Sequence, residues 1–317
     1  MRIATAILIT ASAVGRLACA ADAEQAPPAL DEIVVTAERA GPGMWRVHRG
    51  AANVWLLGSI SPLPRDITWR SKQVESVLQS TSQVLVQKPI GISIPRILWM
   101  LIADRKVLMV GGGKKIKDVL PPELHARFAA QRSKVTDDKE KWEHYRPIIA
   151  AAFLQQAAFH QVNLSMRLDL GAALRNLAKK HGVRVEEIKV AGVSDMLEAL
   201  KTMPAPTERT CVEASLTTVE SGLPRLVDRA QAWADGNVER IENTPDLKEV
   251  DACRNALDAG KGAFDVIGRI RQTWLDTIEN YLRSPGTTIA VVNLDLMLER
   301  GGLLDELRAK GYEIDAP

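Results

Sequence analysis

Three short runs in this chain are dense in aliphatic and β-branched residues: "NVWLLG" (Asn53–Gly58), "QVLVQ" (Gln83–Gln87) and "TTIAVVN" (Thr287–Asn293). Runs of this length and make-up read as strands, the later two as buried ones. Between the first two lies "SKQVESVLQS" (Ser71–Ser80), with Val74, Val77 and Leu78 at helical spacing. The order strand, helix, strand requires a crossover and predicts an α/β fold, a central mixed β-sheet flanked by helices. Ahead of the first run, "MWRVHRG" joins "NVWLLGSI" through Gly50-Ala51-Ala52, which predicts a hairpin. The folded domain is therefore expected over residues 44–317.

Much of the remaining chain carries helical pattern, with large helical insertions expected at about 95–180 and 207–284. Helices are predicted from Pro95 to about Lys106, in "LPPELHARFAAQRS" with Pro122 in the first turn, over Pro147–Val162 and over Gly171–His181. "GVRVEEIKV" reads as a strand and "SDMLEALKTM" as a helix capped by Ser194. Pro224 suits the start of a helix whose apolar face is Leu226, Val227, Ala230 and Trp233, with Gly236 as its stop. Asp246–Ala259 and Gly268–Leu282 continue the helical pattern. The end reads as the strand Thr287–Asn293, a loop, the helix Leu303–Ala309 and a short strand Tyr312–Asp315. No internal repeat appears. "GGGKK" at Gly111 lacks the spacing and terminal Ser/Thr of a phosphate loop. His160 and His181 read as packed or surface residues.

Residues 1–20 have the pattern of a secretory signal: Arg2, an apolar core from Ile3 to Gly15, then small residues at Ala18-Cys19-Ala20. Cleavage is expected after Ala20, giving a periplasmic protein; the alternative, a lipoprotein acylated at Cys19, has Arg16 where an apolar residue is expected. Removing Arg2 and Arg16 lowers the basic count from 41 to 39 against 39 acids, a net charge of 0. With no basic block or stacking cluster, nucleic acid is not an expected partner. Residues 21–43 form a tail rich in Ala, Pro and acids, expected to be disordered. Its "DEIVVTAER" (Asp31–Arg39) resembles a TonB box, but the chain lacks the alternating strands of a barrel, so a TonB role is not expected. The two remaining cysteines, Cys211 and Cys253, are expected to pair as a disulfide in an oxidising compartment.

The segments "MWRVHRGAANVWLLGSISPLP", "RLVDRAQAWADGNVERI" followed by Cys253, and "TTIAVVNLDLMLERGGLLDELRAKGYEI" together resemble the TraB/GumN family, the group of TraB, PrgY, GumN and Tiki. The resemblance covers residues 44–317. It implies an α/β fold with a central sheet, flanking helices and a helical insertion. In better-studied members the first strand ends in Gly-x-x-His, a Glu ends the next, and a second Gly-x-x-His follows the late strand. These residues resemble a metal site, and the Tiki branch is described as metal-dependent peptidases. Imidazoles and a carboxylate at strand ends can converge on one cation and acidify its water.

Here each position differs. Gly58-Ser59-Ile60-Ser61 puts Ser61 in place of His, Gln87 stands for Glu, and Asn293-Leu294-Asp295-Leu296 replaces the second Gly and His. A serine hydroxyl is a weak ligand, Gln87 a neutral one and Leu296 none; Asp295 alone suits a cation, and weakly. No metal or other cofactor is expected. Ser59 and Ser61 lack a histidine at any telling spacing and a second Gly for a nucleophile elbow, so they read as turn caps before Pro62. Gly58, Ser59, Ser61, Gln87, Asn293 and Asp295 are the candidate pocket, with no catalytic residue assigned. The leading expectation is a non-catalytic binding or regulatory protein of the cell envelope, holding a peptide, a glycan or an envelope protein. The alternative is a divergent hydrolase, with a divalent metal under that reading alone.

Overall fold

The computed structural model describes residues 41–67, 72–89, 105–166, 170–190, 192–244, 248–258 and 266–317. The signal pattern of 1–20, the TonB-box-like run, and most of the helix expected from Pro95 lie outside these residues. Among the described residues, six strands build the main sheet: β1 (Met44–Arg49), β2 (Ala52–Ser59), β4 (Gln83–Gln87), β6 (Arg184–Ile188), β7 (Gly286–Asn293) and β8 (Glu313–Asp315). Their order is β6-β4-β7-β2-β1-β8. The first four in that order run parallel, while β1 is antiparallel to both of its neighbours. The sheet is therefore mixed, with the three runs of the sequence as the adjacent inner strands β4, β7 and β2.

Their composition explains the placement. Val84, Leu85 and Val86 are each 0% exposed, as are Ile289 and Ala290, so both faces of β4 and β7 are covered. Strand β2 alternates at first, with Val54 and Leu56 buried and Trp55 half-buried. Gly50, at φ +60, supplies the left-handed residue of the β1–β2 turn without a Cβ penalty. The helix Lys72–Gln79 buries Val74, Val77 and Leu78 on the sheet core, the expected face.

Elsewhere the expected helices stand, with shifted ends. Pro122 and Pro147 each open a helix, Pro122–Val135 and Pro147–Gln161, where a missing N–H costs nothing. The cap of Val193–Thr202 is Gly192, not Ser194: the Asp195 carboxylate reaches back to accept the Gly192 N–H at 2.7 Å. Val227 is 38% exposed rather than part of an apolar face, because the Leu223–Ala234 helix buries Ala230, Ala232, Trp233 and Ala234. The loop after β7 contains one helical turn, Leu294–Leu298, whose N-terminus Asn293 caps. A second small core (Ile116, Phe128, Leu154, Val212 and neighbours) joins the helices beyond the sheet.

A two-stranded ribbon escaped the sequence reading: β3 (Leu63–Pro64) pairs antiparallel with β5 (Leu164–Ser165). At two residues per strand it leaves no period to detect. It fixes the segment after β2 against the end of the Pro147–Gln161 helix, with Arg65 N–H donating to the Asn163 carbonyl at 2.9 Å. Among the described residues, no helix is long and apolar enough to cross a membrane.

Candidate functional site

Ser59 and Asn293 face each other as the last paired residues of β2 and β7. Two residues beyond each, Ser61 and Asp295 line one cavity of about 250 Å³. It lies where ligands of open α/β sheets tend to sit, beyond the carboxyl ends of parallel strands. The remaining wall is helical. Arg225, Leu226 and Arg229 share one side of the Leu223–Ala234 helix, Gln155 and Phe159 project from Pro147–Gln161, and Val250 and Arg254 from Lys248–Asp258. The last two pairs are four apart, the spacing that stacks side chains on one helix face.

Two devices hold the Leu223–Ala234 helix in position. Trp233, 1% exposed, donates its indole N–H to the Gly58 carbonyl at 2.8 Å, fastening the helix to the end of β2. Gly58 itself is a close-approach glycine: a Cβ there would lie 2.6 Å from the Leu294 side chain and 3.2 Å from the Trp45 ring. At its other end the helix follows a π turn, Thr218–Gly222, and both terminal residues of that turn line the cavity. The extra residue in such a turn lets a helix widen beside a site.

The candidate residues play distinct parts. The Ser59 hydroxyl donates to the Val292 carbonyl at 3.1 Å, across to the neighbouring strand. Asn293 Oδ1 accepts the Leu296 N–H at 3.0 Å, and Leu296 is 6% exposed in the core. Gln87 is exposed at the end of β4 and is not in the cavity lining. Ser61 lies at the cavity with its hydroxyl 3.6 Å from the Met166 sulfur. Asp295 takes the Arg229 guanidinium on both oxygens, the longer contact at 3.4 Å. Of the six sequence candidates, Ser61 and Asp295 thus share the cavity, while Gly58, Ser59 and Asn293 support the frame around it.

Arg225, Arg229 and Arg254 escaped the sequence reading. Arg225 and Arg229 lie inside the quoted "RLVDRAQAWADGNVERI", but helical spacing alone does not separate a cavity arginine from a solvent-facing one. Among the described residues, the cavity lining carries three arginines and one carboxylate, Asp295. A wider hollow of about 500 Å³ shares Arg229, Thr244, Arg254 and Asp295 with this cavity and adds Glu242, Asp251 and Glu299. The Arg229–Asp295 pair therefore lines both the cavity and a neighbouring hollow that is richer in carboxylates. Among the described residues, no group of three His, Cys, Asp or Glu side chains is placed to hold a metal ion. The Cys211–Cys253 disulfide is formed, with Cα atoms 4.7 Å apart, and links the Ala205–Thr217 helix to the one carrying Arg254.

The architecture is that of an α/β protein with its cavity at the strand ends, and a family model narrows this further. The model of the TraB/PrgY/gumN family matches residues 43–316, so the chain belongs to that family. No curated protein and no solved structure matches it.

Proposed function

We propose that this chain is an exported, non-catalytic binding or regulatory protein of the cell envelope, on a scaffold whose better-studied members carry residues resembling a metal site at the same strand ends. One observation carries the reading: Asp295, the sole anionic side chain at the family positions, is engaged by Arg229. A divalent cation beside Asp295 would meet a fixed positive charge already in contact with it, and like charges at that range repel strongly. Ser61 and Gln87 offer neutral oxygens and Leu296 offers none, so the donor set does not fit a catalytic cation that needs several ligands and an open position. Export is supported by the signal pattern of residues 1–20 and by the disulfide. The cavity beyond the strand ends is the binding site in this reading.

The test is the purified full chain, loaded with Mn, Co or Zn and assayed on a peptide library with a chelator control. No chelator-sensitive cleavage is expected, and Ser61→His alone does not create it, since the other two positions still lack ligands. Chelator-sensitive cleavage that disappears on Asp295→Ala would instead make the protein a divergent metal-dependent hydrolase.

A further inference from the structure

We infer that the cavity between Ser61 and Arg225 binds a small amphipathic monoanion, a carboxylate carried on an apolar body. The inference rests on the binding-protein reading above and specifies its ligand. Three features of the cavity select this chemistry.

The first is charge. Of the three arginines, Arg229 is matched by Asp295, and Arg254 is faced by Asp251 at 3.4 Å. Arg225 lines the cavity from an exposed position, and among the described residues it has no carboxylate within salt-bridge range. One unmatched guanidinium asks for one negative charge, and its planar fork fits a carboxylate with two parallel hydrogen bonds. A second charge on a dianionic head has no unmatched arginine to meet, and Asp295 in the same lining and the carboxylates of the adjoining hollow disfavour it.

The second is the apolar wall. Phe159, Met166, Leu226 and Val250 line the same space, and Phe159 is 4% exposed while Met166 is 57% exposed. An exposed methionine at a cavity mouth is an adaptable apolar surface. A ligand that is only an anion would leave this wall uncovered, and one that is only apolar would strand Arg225 beside it.

The third is size and the state of the hydroxyls. A cavity of about 250 Å³ holds roughly eight waters at about 30 Å³ each, room for one small organic acid or the last residues of a peptide. Thr218 and Thr244 direct their hydroxyls to the Ala214 and Arg240 carbonyls, at 2.8 and 2.7 Å. Ser61, held by a sulfur contact of 3.6 Å, is the hydroxyl most easily turned to a ligand.

The same head group occurs on a free short-chain acid and on the C-terminal residue of an apolar peptide, and calorimetry with the full chain in chelator separates them. The probes are octanoate, octanol, octyl phosphate, and a tripeptide ending in Leu as free acid and as amide. Saturable binding of octanoate or of the free-acid peptide, with octanol and the amide at least tenfold weaker, supports the inference; which of the two acids binds identifies the source. Arg225→Gln, at an exposed position, is expected to weaken the bound acid about tenfold (about 1.4 kcal/mol), while Arg283→Gln, at the opposite end of the sheet before β7, leaves it unchanged. Binding of neither acid, equal affinity for octanol, tighter binding of octyl phosphate, or an unaltered affinity in Arg225→Gln each overturns it. Because no metal or turnover enters these measurements, their failure is distinct from that of the non-catalytic reading, which falls only to chelator-sensitive cleavage.

Discussion

Arg229 holds both carboxylate oxygens of Asp295 at the end of β7, joining the helical wall of the cavity to the sheet. The arginine side chain is 17% exposed and the aspartate 38%, so the pair is partly screened and its net worth to folding is about 1 kcal/mol. Its larger effect is on the cavity's charge. Asp295→Asn removes the only carboxylate among the described lining residues and frees the Arg229 fork. Carboxylate affinity is expected to rise about fivefold to tenfold, a change on the order of 1 kcal/mol, with steeper dependence on salt. Calorimetry at two ionic strengths checks both, and an unchanged affinity would show that Asp295 does not face the ligand.

The helices beyond the sheet contain a second, more deeply buried ion pair. Arg132 (7% exposed) contacts Glu143 (4% exposed), and His125 Nε2 lies 3.2 Å from the same carboxylate oxygen. Removing one partner of a buried pair leaves a desolvated charge, at a cost of about 3–5 kcal/mol. Arg132→Leu is therefore expected to lower the denaturation midpoint sharply. A double variant, Arg132→Leu with Glu143→Leu, should recover much of the loss because no lone charge remains. Chemical denaturation of the three proteins decides the matter; equal losses in single and double variants would mean that side-chain packing, not charge, is the cause.

Gly58 shows how much of this was legible in the sequence. Its strand was plain from "NVWLLG", as were the inner strands β4 and β7, because short runs rich in β-branched and aliphatic residues read as strands. Why residue 58 is a glycine was not legible, since the reason is Leu294, which packs against it from the far end of the chain. The disulfide followed from counting cysteines under an assumption of export, and the family from segments at both ends of the domain. The arginine cavity depends on how three helices and two strand ends meet, a long-range arrangement that local periodicity does not encode. Val227 was misread for the same reason: it fits the apolar spacing, but the helix turns a stripe of alanines and Trp233 to the core instead.

Tyr281 offers a pH marker for the packing of the long helix that precedes β7. Desolvation first, then its 2.5 Å hydrogen bond to Glu186, raises its pKa from 10.0 to about 12. The unfolded phenol ionises at its ordinary value, so this contribution to stability is complete below about pH 10 and is lost as pH rises through 12. Ultraviolet titration is expected to show a late phase near 12 that Tyr281→Phe removes. A Tyr281→Phe protein that retains the late phase would assign it to another tyrosine.

The disulfide joins stability to binding. Cys211 is 3% exposed on the Ala205–Thr217 helix, and Cys253 precedes Arg254 on the helix that gives the cavity Val250 and Arg254. That second helix packs chiefly against the first. The crosslink spans 42 residues, for which loop entropy gives about 4 kcal/mol, an upper guide. Cys211→Ser with Cys253→Ser is therefore expected to cost about 2–4 kcal/mol of stability. It should also weaken carboxylate binding, because the helix bearing Arg254 is no longer tied to its neighbour. The affinity is to be measured under conditions where circular dichroism shows the double variant to be folded. Reduction of the wild-type protein should reproduce the same weakening, and reoxidation should reverse it. A folded double variant that binds octanoate or the free-acid peptide as tightly as the parent would confine the disulfide to stability alone and leave the cavity wall fixed by packing.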